Sequence, residues 1–292
     1  MKNKIKEAII PYLYLLPAGV FLLFFTYYPI IRSFYLSMFK WNLMSPVKKY
    51  IGLANYTGLM KDSLFWEVVK NNIIYILGTM PVMIFLSLVL AILINERTGF
   101  RHFYQTAVFS PTLIPMAAAA MLWVFIYNPD IGLLNKFLAI FGLQTKAWIS
   151  SSDTALFSLM LVMIWKNLGY FTILFLAGLQ NISPSLYEAA RVEGVGWLKK
   201  HIYLTIPLLS PTILFVLIVN IIQSFRVFDI VNVMTKGGPS NSTNVFVYYI
   251  YQTTFRFWNI GKGTALTSLL VIILLITIFS VMRALNNKIH YA

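Results

Sequence analysis

Residues 183–211 read Ser183-Pro-Ser-Leu-Tyr-Glu-Ala-Ala-Arg-Val-Glu-Gly-Val-Gly-Trp-Leu-Lys-Lys-His-Ile-Tyr-Leu-Thr-Ile-Pro-Leu-Leu-Ser-Pro211. The stretch opens as a helix does. Ser183 suits an N-cap, and Pro184 suits the first helical position, where its missing N–H leaves no bond unmade. Glu188, Ala189 and Ala190 propagate the helix, while Gly194 and Gly196 permit the chain to turn. A second short helix carries Lys199 and Lys200, and Pro207 with Pro211 mark the end of the excursion. The prediction is a helix–turn–helix standing between two long apolar runs. An ordinary linker is the bland alternative, but linkers seldom need this much built structure.

The flanking runs are 154–180 and 207–227, and four more lie at 9–31, 69–94, 107–127 and 263–285. With 59% hydrophobic and 11% charged residues, the chain is far greasier than a soluble domain, which carries roughly 25% charged residues. The runs reach the roughly 20 residues needed to cross a hydrocarbon core, and backbone in lipid must satisfy its own hydrogen bonds. The expected fold is therefore all-α: a polytopic membrane protein of about six transmembrane helices, forming a single transmembrane domain over residues 1–292. The Lys-rich start precedes 9–31 without a small-residue cleavage site, so this run is expected to stay as the first span. Six crossings put both termini on one side, together with the connections 95–106 and 181–206.

Charge counting alone does not orient the chain. The terminal side carries 10 Lys/Arg and the other side 12. The terminal side is favoured as cytoplasmic because its segments are shorter and its charges crowd the span ends. The net charge of +14 lies mostly between apolar runs, which fits lipid headgroups better than nucleic acid. Trp41, Tyr50, Trp66, Trp148, Tyr248 and Trp258 in the opposite connections suit headgroup depth, ring buried and polar tip wet.

Enzyme signatures are lacking. With no cysteine in the chain, disulfides, thiol catalysis and Cys-bound metals are excluded. No Gly-x-x-x-x-Gly-Lys-Ser/Thr run cradles a nucleotide. His102, His201 and His290 have no partner at i+4 for a zinc pair, and none falls inside a span. Polar groups within the spans are more telling. Lys166, between Trp165 and Asn167, carries a charge that costs at least about 2.5 kcal/mol at mid-membrane, so it is expected to face a cavity or a partner, or else to snorkel or cap carbonyls of a neighbouring helix. Asn220, Gln223 and Ser224 share one helical face, either as interhelical hydrogen bonds or as lining for a hydroxyl-rich solute. Tyr170 and Thr172 can join them.

The loop also carries a family resemblance. Glu188-Ala189-Ala190, Gly194 and the Leu204-x-Ile206-Pro207 ending resemble the EAA loop of binding-protein-dependent ABC importer permeases. Glu193 stands where Asp is usual, Val195 where Ala is usual, and His201 where an aromatic is common. Phe109-Ser-Pro111, Leu122 through Pro129, Trp165 with Gly169-Tyr170, and Phe228-Asp229 through Met234-Thr-Lys-Gly-Gly-Pro239 look like carbohydrate-uptake permeases, specifically the first of two paired subunits. The resemblance implies a type I ABC importer permease fold in the bacterial cytoplasmic membrane, both termini cytoplasmic, paired as a heterodimer with a second homologous permease. It implies that 181–206 is the coupling loop seated on a cytoplasmic ABC ATPase dimer, with Glu188, Ala189, Ala190 and Glu193 at the contact, Gly194 as the turn and Pro207 at the membrane junction. ATP and Mg would be held by that partner, with no cofactor on this chain. An extracytoplasmic solute-binding protein would deliver a small polar solute near Gly237, Gly238 and Pro239. Lys166, Asn167, Gly169, Tyr170, Thr172, Asn220, Gln223 and Ser224 are the substrate-pathway candidates.

A self-sufficient secondary transporter is a second reading, but no acidic residue lies well within a span to couple it. A membrane enzyme is a third, opposed by the missing catalytic constellation. For the solute, a neutral oligosaccharide is expected by resemblance. A glycerol-phosphate-type anion is the alternative that Lys166 would serve.

Overall fold

The computed structural model describes residues 2–97 and 99–286. In chain order the helices begin with α1 (Lys2–Leu22), which a π-helical turn at Leu23–Tyr27 joins to α2 (Tyr28–Leu36). A two-residue hairpin follows, β1 (Phe39–Lys40) pairing antiparallel with β2 (Lys49–Tyr50), and then α3 (Ala54–Met60) and α4 (Ser63–Asn95). Next come α5 (Arg101–Leu113), α6 (Met116–Ile126), α7 (Leu133–Ile140) and α8 (Ser152–Gln180). The loop after α8 holds α9 (Pro184–Val192), α10 (Trp197–Lys200), a π-helical turn at His201–Thr205 and α11 (Ile206–Leu208). The chain closes with α12 (Ser210–Phe225), α13 (Asp229–Met234), α14 (Phe246–Tyr251) and α15 (Ile260–Asn286).

Among the described residues, five helical stretches are long and apolar enough to cross a membrane: Tyr14–Leu36, Ser63–Asn95, Ser152–Gln180, Ser210–Met234 and Ile260–Leu285. The α5–α6 pair makes a sixth if it is one broken span. Bounds differ from the hydropathy runs where helices outlast lipid. The 33 residues of α4 begin at Ser63 and rise about 50 Å, well beyond a hydrocarbon core. The largest difference is at 107–127, expected as one continuous span. There the chain bends by 92° between α5 and α6. Ile114 is extended (φ −71°, ψ 131°) because the ring of Pro115 disfavours helix in the preceding residue. Averaged hydropathy does not register a proline.

The described chain forms two compact units. One comprises residues through Asp62 with Ile250–Ile272. Its hairpin is tied to the start of α15: Leu43 N–H donates to the Trp258 carbonyl (3.0 Å) and Gly261 N–H to the Trp41 carbonyl (3.1 Å). Asn55 donates to the Ser37 and Phe39 carbonyls, and Lys262 pairs with Asp62 at 2.7 Å. The window of Tyr14–Leu36 buries no residue, so its apolar surface is left for lipid or another chain.

The other unit holds Ser63–Tyr249 and the rest of α15. Its core lies where α4, α8 and α12 meet, around Met83, Ala91, Phe171, Phe175, Leu209 and Val216. Small residues set how closely the helices pack. On α8, a Cβ at Gly169 would come within 2.2 Å of the Val108 carbonyl oxygen of α5. Because backbone cannot rotate aside, Gly169→Ala should cost about 1–3 kcal/mol or more through forced overpacking. Gly58 on α3 has open space around it, so Gly58→Ala should be neutral or slightly stabilising. Thermal unfolding of the two purified variants in detergent checks both expectations.

Candidate functional site

The loop after α8 is built largely as its residues dictate. α9 starts at Pro184 behind Ser183, although the Ser183 hydroxyl lies 2.8 Å from Ser185 Oγ and makes no cap to the backbone. Glu188 and Ala189 are exposed, Ala190 is half-buried, and Glu193 is the exposed C-cap residue. Gly194 takes φ +70°, with Gly194 N–H on the Arg191 carbonyl (3.1 Å) and Val195 N–H on the Ala190 carbonyl (3.0 Å). That is a Schellman ending, which needs the left-handed residue that glycine adopts without strain. Gly196 does not share this role: its φ is −63°, open to any residue. Pro207 stands in the first turn of α11, at the entry to α12.

Behind the loop is an ionic cluster that the sequence reading did not include. The Glu96 carboxylate, just past α4, accepts hydrogen bonds from Trp197 Nε1 (2.7 Å), Lys200 Nζ (2.6 Å) and His201 Nε2 (3.1 Å). His201 is buried and edge-on to the Trp197 ring at 4.6 Å. With Nε2–H given to Glu96, Nδ1 accepts from the Thr205 hydroxyl (2.9 Å), and Tyr187 OH can donate to Thr205 in turn (3.2 Å). Glu96 was the one acid in the 95–106 connection, but nothing local tied it to a partner a hundred residues on. A cavity of about 600 Å³ adjoins the cluster, bounded by the ends of α4 and α8 and by α9 and α10.

Burial raises the Glu96 carboxyl, but the hydrogen bonds from Lys200, Trp197 and His201 and the Lys200 charge outweigh it and hold the group below its usual range. Burial chiefly, and the Lys200 charge, hold the His201 imidazole below its usual range against the Glu96 hydrogen bond. A histidine depressed in the folded state contributes stability above its unfolded pKa of about 6.5 and loses it as pH falls toward the folded value. The depressed carboxyl acts in the same direction, lower down. Glu96, Lys200, Tyr187 and Arg191 are the other titratable or charged groups at this cavity. Amide hydrogen exchange over 196–205, corrected for intrinsic rate, should accelerate between pH 7.5 and 5.5, and His201→Gln should flatten that dependence.

The substrate-pathway candidates separate into two groups. Asn167 and Gln223 line one cavity of about 240 Å³ with Met116, Met163, Phe228 and Arg226, and with Asp229 also at its wall. The Asn167 amide N–H₂ donates to the Met163 carbonyl at 3.1 Å. The others do not line it. Lys166, 6% exposed, donates to the Thr112 carbonyl at 2.7 Å, and the Thr112 hydroxyl returns a bond to the Lys166 carbonyl at 3.1 Å. Gly169 faces α5, Tyr170 is edge-on to Phe171, and Thr172 bonds the Leu168 carbonyl of its own helix. Ser224 donates to Asn220 at 3.2 Å, both buried. Arg226 was passed over in the sequence, where it reads as an ordinary charge at a span end.

At the remaining candidate stretch, Gly237 has φ +83° and is buried, its hydrogens facing the Tyr248 ring. Gly238 and Pro239 are half-buried, and the exposed flanks are Lys236 and Ser240. Thr243 Oγ1 holds the turn through the Gly238 carbonyl at 2.7 Å, and Asn71 of α4 donates to the Asn241 carbonyl at 2.8 Å.

Several membrane-length helices, a built helix–turn–helix between two of them, and a small cavity with both polar and apolar lining fit a multi-span permease. The family model described as "Binding-protein-dependent transport system inner membrane component" matches residues 51–290, and the chain belongs to that family. It is similar to a probable ABC transporter permease (YurN) of Bacillus subtilis, 35% identical, covering 92% of this chain and 94% of the relative. It is similar also to the lactose transport system permease LacF of Rhizobium radiobacter, 33% identical over 93% of this chain and 92% of that one. A chain in the crystal structure of a bacterial alginate ABC transporter, in complex with an alginate pentasaccharide-bound periplasmic protein, superimposes with TM-score 0.88 over 100% of this chain and 99% of that one. At 24% identity that likeness speaks to fold alone. The protein is thus a multi-pass inner-membrane permease component of a binding-protein-dependent ABC transporter; it is not itself catalytic, and ATP is bound by a separate ATPase.

Lys166→Met leaves the Thr112 carbonyl without its donor in a low-dielectric setting and should cost about 1–3 kcal/mol, whereas Lys166→Gln keeps a donor and should cost less. Thermal unfolding of the two variants side by side tests the ordering.

Proposed function

We propose that this permease passes a neutral oligosaccharide by alternating access, pairing with a second homologous permease over a cytoplasmic ATPase dimer. The observation that carries the solute class is the cavity of Asn167 and Gln223. Two amides offer both donors and acceptors for hydroxyls, and Met116, Met163 and Phe228 offer apolar surface for sugar ring faces. Arg226 and Asp229 enter together, so the cavity carries no net charge to trap an anion. The relative named for lactose supports the same class.

The exposed Glu188 and Ala189 of α9 suit an ATPase cleft, and the Schellman turn at Gly194 holds α9 and α10 as one docking piece. Docking on that partner makes the 181–206 loop cytoplasmic. Both termini then fall on the same side if the α5–α6 pair crosses once; Met1 and residues 287–292 lie outside the described residues. The binding protein is received at the other face, through Lys236 and Ser240 flanking the turn at Gly237–Pro239 more than through the buried Gly237 itself.

A phosphate ester remains the second reading, and Arg226 rather than Lys166 is now the cation that favours it, since Lys166 is engaged with Thr112. Uptake assays with the full importer separate the two. For a neutral sugar, Asn167→Ala and Gln223→Ala should each lower uptake about tenfold, as losing one well-placed hydrogen bond allows, and Arg226→Gln should matter little. Collapse of uptake in Arg226→Gln with both amide variants intact would overturn the neutral reading.

A further inference from the structure

We infer that Glu96 is a positioning residue of the coupling apparatus, a strut that makes α4 move with the docking loop. This rests on the reading that the loop seats an ATPase. Chain connectivity ties the loop only to α8, through 181–183, and to α12, through 201–209. α4 is remote in sequence, yet its C-terminal end is where Trp197, Lys200 and His201 converge on one carboxylate 101, 104 and 105 residues away.

The setting shows why a strut is needed. The cavity of about 600 Å³ leaves α10 and the turn before it without close-packed side chains on that side, although Tyr187 of α9 packs on the core. A force applied at α9 and α10 could therefore be absorbed by collapse or tilting of the loop. Three hydrogen bonds onto Glu96 bridge the edge of that cavity, two of them charge-assisted and short, at 2.6 and 2.7 Å. The anchor is stiff on both sides. His201 is buried against Trp197 and bonded to Thr205, while α4 shares the core of α8 and α12. Glu96 keeps 33% side-chain exposure, and its hydrogen-bond partners are on α10 and the turn after it, not the exposed Glu188 and Ala189 of α9. Its function is mechanical: α4 already packs on α8 and α12, and Glu96 adds a direct tie from α10 to the end of α4.

The native chain has no cysteine, so paired spin labels can be introduced cleanly. The test uses the importer assembled with its partner permease and ATPase dimer, labelled at Leu93→Cys on α4 and Lys199→Cys on α10, both exposed. Distances are read by electron double resonance, without nucleotide and after trapping with ATP and vanadate. With Glu96 present, one narrow distance should hold in both states. Glu96→Ala should broaden the distribution and make it change on trapping, while the ATPase co-purifies as before. Glu96→Asp should restore most of the narrow peak, and Trp197→Phe, which removes only the indole N–H, should fall between. Parallel ATPase assays should show about a tenfold weaker response of hydrolysis to the binding protein in Glu96→Ala, within the usual range of site-to-site coupling. Narrow, state-independent distances in Glu96→Ala would overturn the inference alone. An ATPase dimer that fails to bind the unmodified chain would sink the docking reading and this inference together.

Discussion

The bond from Lys166 to the Thr112 carbonyl answers a constraint that governs the whole molecule. In hydrocarbon no water is at hand, so each backbone group outside a helix needs a partner from the protein. Most of the chain meets this by being helical. At Ile114–Pro115 it cannot, and the 92° bend leaves the last carbonyls of α5 without helical donors. Lys166 supplies one donor at 2.7 Å, and Thr112 ties the arrangement back at 3.1 Å. Gly169, one turn further along α8, lets α5 close to backbone contact. The bend sends α6 onto α13 and places Met116, its first residue, at the cavity of Asn167 and Gln223. A buried ammonium that does not line that cavity thus helps decide its shape.

Glu96 meets a related problem outside the spans, with a different solution. Lys166 is satisfied by a neutral carbonyl and a snug helix pair, an arrangement suited to holding one geometry. Glu96 is satisfied by three side-chain donors across the edge of an open space. Such a joint can hold tension without filling volume. It also responds to pH, because it includes the His201 imidazole, which burial and the Lys200 charge hold below its usual range. The two charges therefore divide the work between a fixed bend and a transmitting link.

What could be read from sequence was whatever a segment must satisfy alone. The apolar runs were legible because lipid imposes its demand on each helix separately. The turn at Gly194 was legible because a left-handed residue is a local property, and φ +70° bears this out. Gly196 looked equivalent, but a neighbouring glycine need not be used, and φ −63° shows this one is not. The broken third run carried its signal in Pro111 and Pro115, and only the practice of averaging hydropathy hid it. Gly237 stood in the sequence only as a candidate contact for the binding protein, and its burial against Tyr248 depends on a residue eleven positions away.

Charged residues mark the limit of that reading. A lysine within an apolar run announces that some partner must exist, because leaving it bare costs too much; it does not announce which. Sequence therefore left Lys166 balanced between solute and carbonyl, and only the approach of α5 decided for the carbonyl in this structure. Arg226 shows the converse. At a span end a charge can be solvated, so nothing in the pattern demands a partner, and it drew no notice. Folding nevertheless brings it to the cavity that Asn167 and Gln223 share. Exceptions to the lipid rule are visible one residue at a time, whereas a binding surface is made of residues that each break no rule and become informative only in company.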